Sequence, residues 1–253
     1  MNADVASRAL ALAGLIVAAG CATAPSEPSP LSREQIAMVV ANPERSAADR
    51  TNDQRRKPEQ MLAFIGVRPG ITVLDLATGG GYTTELLARA IGPTGRVYGQ
   101  SPSAARAPAL LAERAKRASN AAPIVAIVQP FEDPVPAPLA SGGLDLATIM
   151  FNYHDFGHLG VDRAHVNAAV YRALKPGGVY VIADHSGRPG TGIGESGTLH
   201  RVEEDFVRRE VESAGFRLVA TGDFLRNPND PRDRNEPDPP QPKDEFVLKF
   251  VKP

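Results

Sequence analysis

An α/β fold on a mostly parallel, seven-stranded sheet is predicted by three observations on this chain of 253 residues. Beyond Gly70, short runs rich in β-branched residues alternate with segments of helical period. The helical segments end at Gly or Pro, as in RAIG and LKPGG. Strands separated by helices need right-handed crossovers, which a parallel sheet accommodates. The last two strand-like runs have no helix between them and are free to pair as a hairpin, leaving an antiparallel last strand.

In chain order, Ser32 and Gln35 form an S-x-x-Q capping box ahead of Ile36, Val39 and Val40, marking a short amphipathic helix. A polar stretch, residues 44–57, leads to Pro58, which suits the first turn of a helix carrying Met61, Leu62 and Ile65. Strands are expected over 71–77, 96–100, 124–128, 144–151, 179–185, 216–224 and 244–251. Helices are expected over 81–92, 103–118, 161–174 and 201–215, with Pro108 starting or interrupting the second. Residues 226–243 are long, proline-rich and charged, and are expected to be a mobile loop in solvent or over a cleft.

With 28 Lys plus Arg against 29 Asp plus Glu, the chain lacks the basic excess on which non-specific nucleic-acid binding relies, so no nucleic-acid partner is expected. A single cysteine, Cys21, excludes an internal disulfide and a Cys-rich zinc site. It follows Arg8 and an apolar run from Ala9 to Gly20, too short to span a bilayer as a helix. Ala18, Ala19 and Gly20 directly before Cys21 resemble the lipobox of bacterial lipoproteins, with Ala18 where Leu is usual. The resemblance implies a signal peptide over 1–20, a lipid-anchored tether over 21–31 and a folded domain over 32–253. It places the protein in the periplasm or outer membrane, lipidated on Cys21. Ordinary secretory cleavage after Ala24 is disfavoured by Pro25, and a buried amino-terminal helix in a cytoplasmic protein is the other reading.

The first strand runs into Asp75-Leu76-Ala77-Thr78-Gly79-Gly80-Gly81, and a helix follows at once. Such a turn lets a ligand approach the backbone at the carboxyl edge of a parallel sheet. Dinucleotide sites use G-x-G-x-x-G, whereas Thr84 stands at the third glycine position here and an acid precedes the turn. A nicotinamide-dependent oxidoreductase is therefore the weaker reading. The pattern resembles class I S-adenosylmethionine-dependent methyltransferases, whose first motif is an acid followed by G-x-G-x-G. Asp75 matches the acid, Gly79 and Gly81 the later glycines, and Ala77 replaces the first. The likeness runs from about Pro58 to Pro253 through GLDLATIMFNYHD, LKPGG and ESAGF, and includes a Tyr-His-Asp step after the fourth strand and a DxFVLKF ending.

The resemblance implies a Rossmann-like fold with helices on both faces of the sheet, S-adenosylmethionine as cofactor, and methyl transfer to a small-molecule or cell-envelope acceptor. It also implies that Asp75, Ala77, Thr78, Gly79, Gly81, Tyr82 and Asn152 surround the cofactor, with Phe131 and Glu132 near its adenine. At Gln100 the family usually has an acid that grips the ribose hydroxyls. An amide there exchanges a charge-assisted bond of about 1.5–3 kcal/mol for a neutral one of about 0.5–1.5 kcal/mol. Ala77 costs roughly 1–2 kcal/mol if its φ is positive. Because the cofactor is made in the cytoplasm, an exported lipoprotein that keeps the fold as a non-catalytic binding module is the alternative function.

Asn152, Tyr153, His154 and Asp155 follow the fourth strand, at the edge where the transferable methyl should point. His154 is the candidate general base, with Asp155 as its orienter, although adjacent residues of an extended segment face opposite sides. His185, at the end of the fifth strand, is a rival or partner, and a purely structural role in bonding loop backbone is equally open. His154 and His158 are four apart, but glycines flank FGHLG and no metal is expected.

Overall fold

The structure is a computed structural model that describes Met1 and residues 28–253. The apolar run, Cys21 and the tether before Pro28 lie outside the described residues. Three helices open the fold: α1 (Arg33–Ala41), α2 (Ala47–Arg56) and α3 (Pro58–Ile65). Then come β1 (Thr72–Leu76), α4 (Tyr82–Ile91), β2 (Arg96–Ser101), α5 (Ala107–Arg117), β3 (Ile124–Val128), β4 (Leu144–Met150), α6 (Asp155–His158), α7 (Arg163–Ala173) and β5 (Leu174–His185). The chain finishes with α8 (Ser196–Leu199), α9 (Glu204–Ser213), β6 (Arg217–Gly222) and β7 (Glu245–Val251). Pro108 lies in the first turn of α5, so it starts that helix.

The sheet order is β3-β2-β1-β4-β5-β7-β6, with β7 antiparallel to both its neighbours and the other pairs parallel. Alternation along β1 assigns the two faces. Leu74 and Leu76 enter a core with Tyr153, Phe156, Tyr180 and Phe246, while Val73 faces Met61, Leu62 and Ile65 of α3 and Leu87 of α4. Asp75 shares the face of Val73. The acid of the glycine motif therefore lies on the side covered by the amino-terminal helices.

Two expectations are corrected. The polar stretch before Pro58 is not a bare connection, because it contains α2. The Ser46 side chain accepts from Asp49 N at 3.1 Å, and Lys57 at φ 46° ends the helix and leads directly into α3. A helix this polar needs partners, and it has them: Arg45 pairs with Asp53 at 2.7 Å and Asp49 with Arg114 at 2.7 Å. The segment 226–243 is not a free loop either. Arg201, fully buried, pairs with Asp230 at 2.9 Å, Asp230 accepts from Asp244 N at 2.7 Å, and Arg232 pairs with Asp244 at 2.8 Å. Asp230 and Arg232 fasten it to the fold, while Asp233, Arg234, Glu236 and Asp238 stay exposed, and Glu236, Gln241 and Lys243 border a cavity with His185.

No helix among the described residues is long and apolar enough to cross a membrane.

Candidate active site

Where β1 ends, the backbone enters the left-handed region at Ala77 (φ 51°), Gly79 (φ 53°) and Gly81 (φ 76°). Ala77 thus takes the positive φ that costs its Cβ roughly 1–2 kcal/mol. At Gly81 a Cβ would lie 2.6 Å from Leu111 Cδ2, so only glycine lets α4 start this close to α5. At Gly79 a Cβ would meet nothing within 4 Å, because that position faces an open cavity of about 220 Å³. Asp75, Thr78, Tyr82, Asn152, Arg56 and Arg114 are among the side chains that line it.

Asp75 is buried and accepts from Thr84 Oγ1 at 2.6 Å and Thr148 Oγ1 at 2.7 Å. Thr84, whose presence argued against a dinucleotide motif, holds the acid. Burial lifts the Asp75 carboxyl to about 6 against those two hydrogen bonds. Thr78 Oγ1 is buried without a hydrogen-bond partner, a polar atom left over for a ligand. Asn152 Nδ2 donates to Ala77 O at 3.2 Å and to Met150 O at 3.0 Å, tying the ends of β1 and β4 together.

Gln100 does not face this cavity. Its side chain is fully buried, its Oε1 accepts from Ala77 N at 3.0 Å, and its Nε2 donates to Gln129 O at 2.7 Å. It braces the glycine turn against the ends of β2 and β3, and the ribose role read from its position is not supported by its contacts. Phe131 packs on Phe156 with ring centroids 5.0 Å apart, and neither it nor Glu132 is among the residues lining the cavity.

The helix absent from the sequence reading closes the other side. Asp49, Asn52 and Arg56 of α2 line the cavity, and the spacing of Asp49, Asp53 and Arg56, one helical face after a capping serine, was the available signal. Tyr82 donates to Asp53 at 2.6 Å, and Arg114 Nε donates to Gly80 O at 2.5 Å while its Nη1 bonds both Asp49 and Glu85 at 2.7 Å. These bonds fasten α2 across the glycine turn. The guanidinium of Arg56 lies 3.9 Å from the ring centroid of Phe151; among the described residues it makes no hydrogen bond or direct ion pair, and the Glu245 and Asp184 carboxylates act on it only through space. Burial, reinforced by neighbouring Arg55, lowers its pKa to about 10, so it remains a cation facing the cavity.

The histidines gather elsewhere along the same sheet edge. His154 Nδ1 is 2.6 Å from Asp184 Oδ1, its backbone N donates to Asp184 Oδ2 at 2.7 Å, and its Nε2 is 3.1 Å from Asp155 Oδ1. Burial pulls its pKa down, but the two carboxylates outweigh this and lift it to about 9. With both ring nitrogens engaged by carboxylates, His154 presents no free lone pair to a substrate in this arrangement, and its contacts do not by themselves support the general-base reading. Its orienter is Asp184, with Asp155 on the other nitrogen. The two neighbours lie together because His154 is helical (φ −58°, ψ −37°), not extended. Burial lowers His185 to about 3; its Nδ1 is 3.0 Å from Glu245 Oε1, and burial lifts Glu245 to about 7. His185 and Glu245 line a second cavity, of about 290 Å³, with Arg55 and Lys243.

Residues 73–178 match the family described as Methyltransferase domain. A Streptomyces fradiae protein, described as an uncharacterized 37.1 kDa protein in transposon TN4556, is 31% identical over 134 residues, 53% of this chain and 36% of that one. The chain thus spans about a third of that relative's length. Among solved structures, a SAM dependent methyltransferase from Aquifex aeolicus superposes with TM-score 0.58 at 18% identity, covering 88% of this chain and 100% of its own. A putative methyltransferase from Bacillus halodurans gives 0.56 at 16%, covering 77% of this chain and 97% of its own. The [4+2]-cyclase SpnF also gives 0.56, at 17%, covering 91% and 87%. Likenesses at this identity speak to fold alone, and a cyclase among them shows that the fold hosts more than one reaction. By sequence the segment 73–178 is similar to the methyltransferase-domain family, and by its sheet the described chain has the Rossmann-like fold of the solved methyltransferases it superposes on.

Proposed function

We propose that the protein is an S-adenosylmethionine-dependent methyltransferase acting on a small-molecule or cell-envelope acceptor. One observation carries this: a single cavity at the end of β1 brings together a buried acid, an orphaned hydroxyl, an open glycine edge and, among the described residues, a guanidinium engaged in no direct ion pair. Those groups match the cofactor's polar ends. Arg56 would hold its carboxylate, Asp75 its amino side, and Thr78 Oγ1 a hydroxyl. The bound cofactor supplies a methyl group on a sulfonium for in-line transfer. The chain's part is alignment, worth up to about 7–11 kcal/mol in well-oriented systems. Asn152 keeps the ends of β1 and β4 in register, and the bonds of Asp49 and Arg114 hold α2 over the turn.

Titrating the folded protein with S-adenosylmethionine in a calorimeter tests the reading. One-to-one binding is expected, weakened in Arg56→Ala by about 10- to 100-fold, the equivalent of a charge-assisted bond. No binding at millimolar cofactor, with the fold intact, would reject the enzyme and leave a non-catalytic module. The location we infer, export with a lipid on Cys21, rests on the run from Ala9 to Gly20. Radiolabelled fatty acid should enter the wild type and not Cys21→Ala; equal labelling of the two would remove the anchor.

A further inference from the structure

Four of the chain's five histidines form one chain of rings. His154 lies 5.4 Å from His185 and 5.6 Å from His200, and His158 lies 5.6 Å from His200. The fifth, His165, is exposed on α7. At the centre of the group is Asp155, whose Oδ1 is 3.1 Å from His154 Nε2 and 3.3 Å from His200 Nδ1, and one ligand atom from each of the three residues lies within 4.8 Å of the other two. None of these residues lines the cavity at the glycine turn.

We propose that His154, Asp155 and His200 bind a divalent transition-metal ion of the zinc class, with Asp184 as the supporting carboxylate. The spacing suits it: nitrogen and oxygen ligands each about 2.0–2.2 Å from a tetrahedral ion lie roughly 3.3–3.5 Å apart, so small side-chain movements close the site. Two imidazoles and one carboxylate favour zinc, cobalt or nickel over magnesium or calcium, which prefer all-oxygen sets. The outer shell is already in place. Asp184, fully buried, accepts at Oδ1 from His154 Nδ1, so that an ion which displaces the Nε2 proton meets a lone pair already aimed at Asp155, the arrangement that supports a metal-bound histidine. With the Nε2 proton displaced, the two carboxylates around the imidazoles carry two negative charges, which one divalent ion balances.

The backbone adds an independent sign. His200 ends α8 at φ 51°, a conformation a non-glycine residue adopts at a cost, and there its ring meets Asp155. His158 is a neighbour and not a ligand through Nδ1. The single proton of Ser196 Oγ goes to His154 O at 2.5 Å, so the 3.0 Å contact has His158 Nδ1 as donor. Asp155 and His200 are partly exposed, which leaves a path for the ion and room for a further ligand, as three-ligand sites have.

The test uses the untagged full chain, stripped with a chelator and titrated with Zn²⁺ alone, and with Co²⁺ for its visible spectrum. One ion per chain and a cobalt d–d band are expected. His200→Ala and Asp155→Asn should each weaken binding at least tenfold while circular dichroism shows the fold intact, and His165→Ala should leave it unchanged. Absence of saturable binding, or binding that survives in both His200→Ala and Asp155→Asn, overturns the site and leaves His154 as a structural imidazolium. The titration needs neither cofactor nor acceptor, so its outcome is separate from that of the methyltransferase reading.

Discussion

The side-chain carbonyl of Gln100 accepts a hydrogen bond from the backbone N–H of Ala77 at 3.0 Å, joining the end of β2 to the first residue of the glycine turn. Its amide nitrogen is spent on Gln129 O at 2.7 Å. Restoring the acid usual in the family is therefore expected to harm the protein. Gln100→Glu leaves Gln129 O without its donor and buries a charge, costing about 1–3 kcal/mol or more. Urea denaturation should show a lower midpoint, with no tightening of cofactor binding by calorimetry. A variant of unchanged stability that binds more tightly would return Gln100 to the ribose.

Ala77 carries a Cβ at φ 51°. Ala77→Gly relieves about 1–2 kcal/mol of strain and gives back about 0.5–1 kcal/mol in unfolded-state entropy. A net gain of about 0.5–1 kcal/mol is expected in thermal or urea unfolding, and a loss would show that the methyl group contributes packing worth more than its strain.

Asp75 has its pKa raised from 3.8 to about 6 by burial. The folded state therefore holds this proton over a window in which the unfolded chain has released it. Its contribution to stability is full below about pH 4 and falls as the pH rises to about 6. The difference of about two units corresponds to roughly 3 kcal/mol at neutral pH. Asp75→Asn, nearly isosteric and able to meet both threonine hydroxyls, should gain on the wild type above pH 6 and lose that advantage below pH 4. Parallel denaturation curves from pH 4 to pH 8 check the sign.

Arg201 is fully buried and donates to Ser186 O and Arg234 O at 3.0 Å while pairing with Asp230. Arg201→Met strands the Asp230 charge and should cost about 3–5 kcal/mol. Limited proteolysis should then cut within 226–243 faster than in the wild type. Replacing both partners, Arg201→Met with Asp230→Asn, should recover part of the loss; equal loss in single and double variants would deny the coupling.

Much of the site was legible because its signals are local. The strand before Asp75, the glycines that alone tolerate the turn and the helix behind them are written in adjacent residues, so the motif, the β–α alternation and the antiparallel last strand follow from pattern and φ requirements. Asp75, Thr78, Gly79, Tyr82 and Asn152 do converge on one cavity. Local pattern missed α2, whose face of Asp49, Asp53 and Arg56 carries no apolar stripe and is stabilised by ion pairs to residues as far away in sequence as Arg114, 65 positions on.

By itself the sequence determined the sheet, its crossovers and the acid–glycine turn, because each depends on residues within one element or one loop. Only the tertiary structure decided which polar groups are free. Gln100 is spent on Ala77, 23 residues back, and His154 on Asp184, 30 residues ahead, while Arg56 lies over the Phe151 ring beside the turn with no direct ion pair among the described residues. Hydrogen bonding and charge are settled by what burial brings within about 3 Å, and no local pattern encodes that proximity.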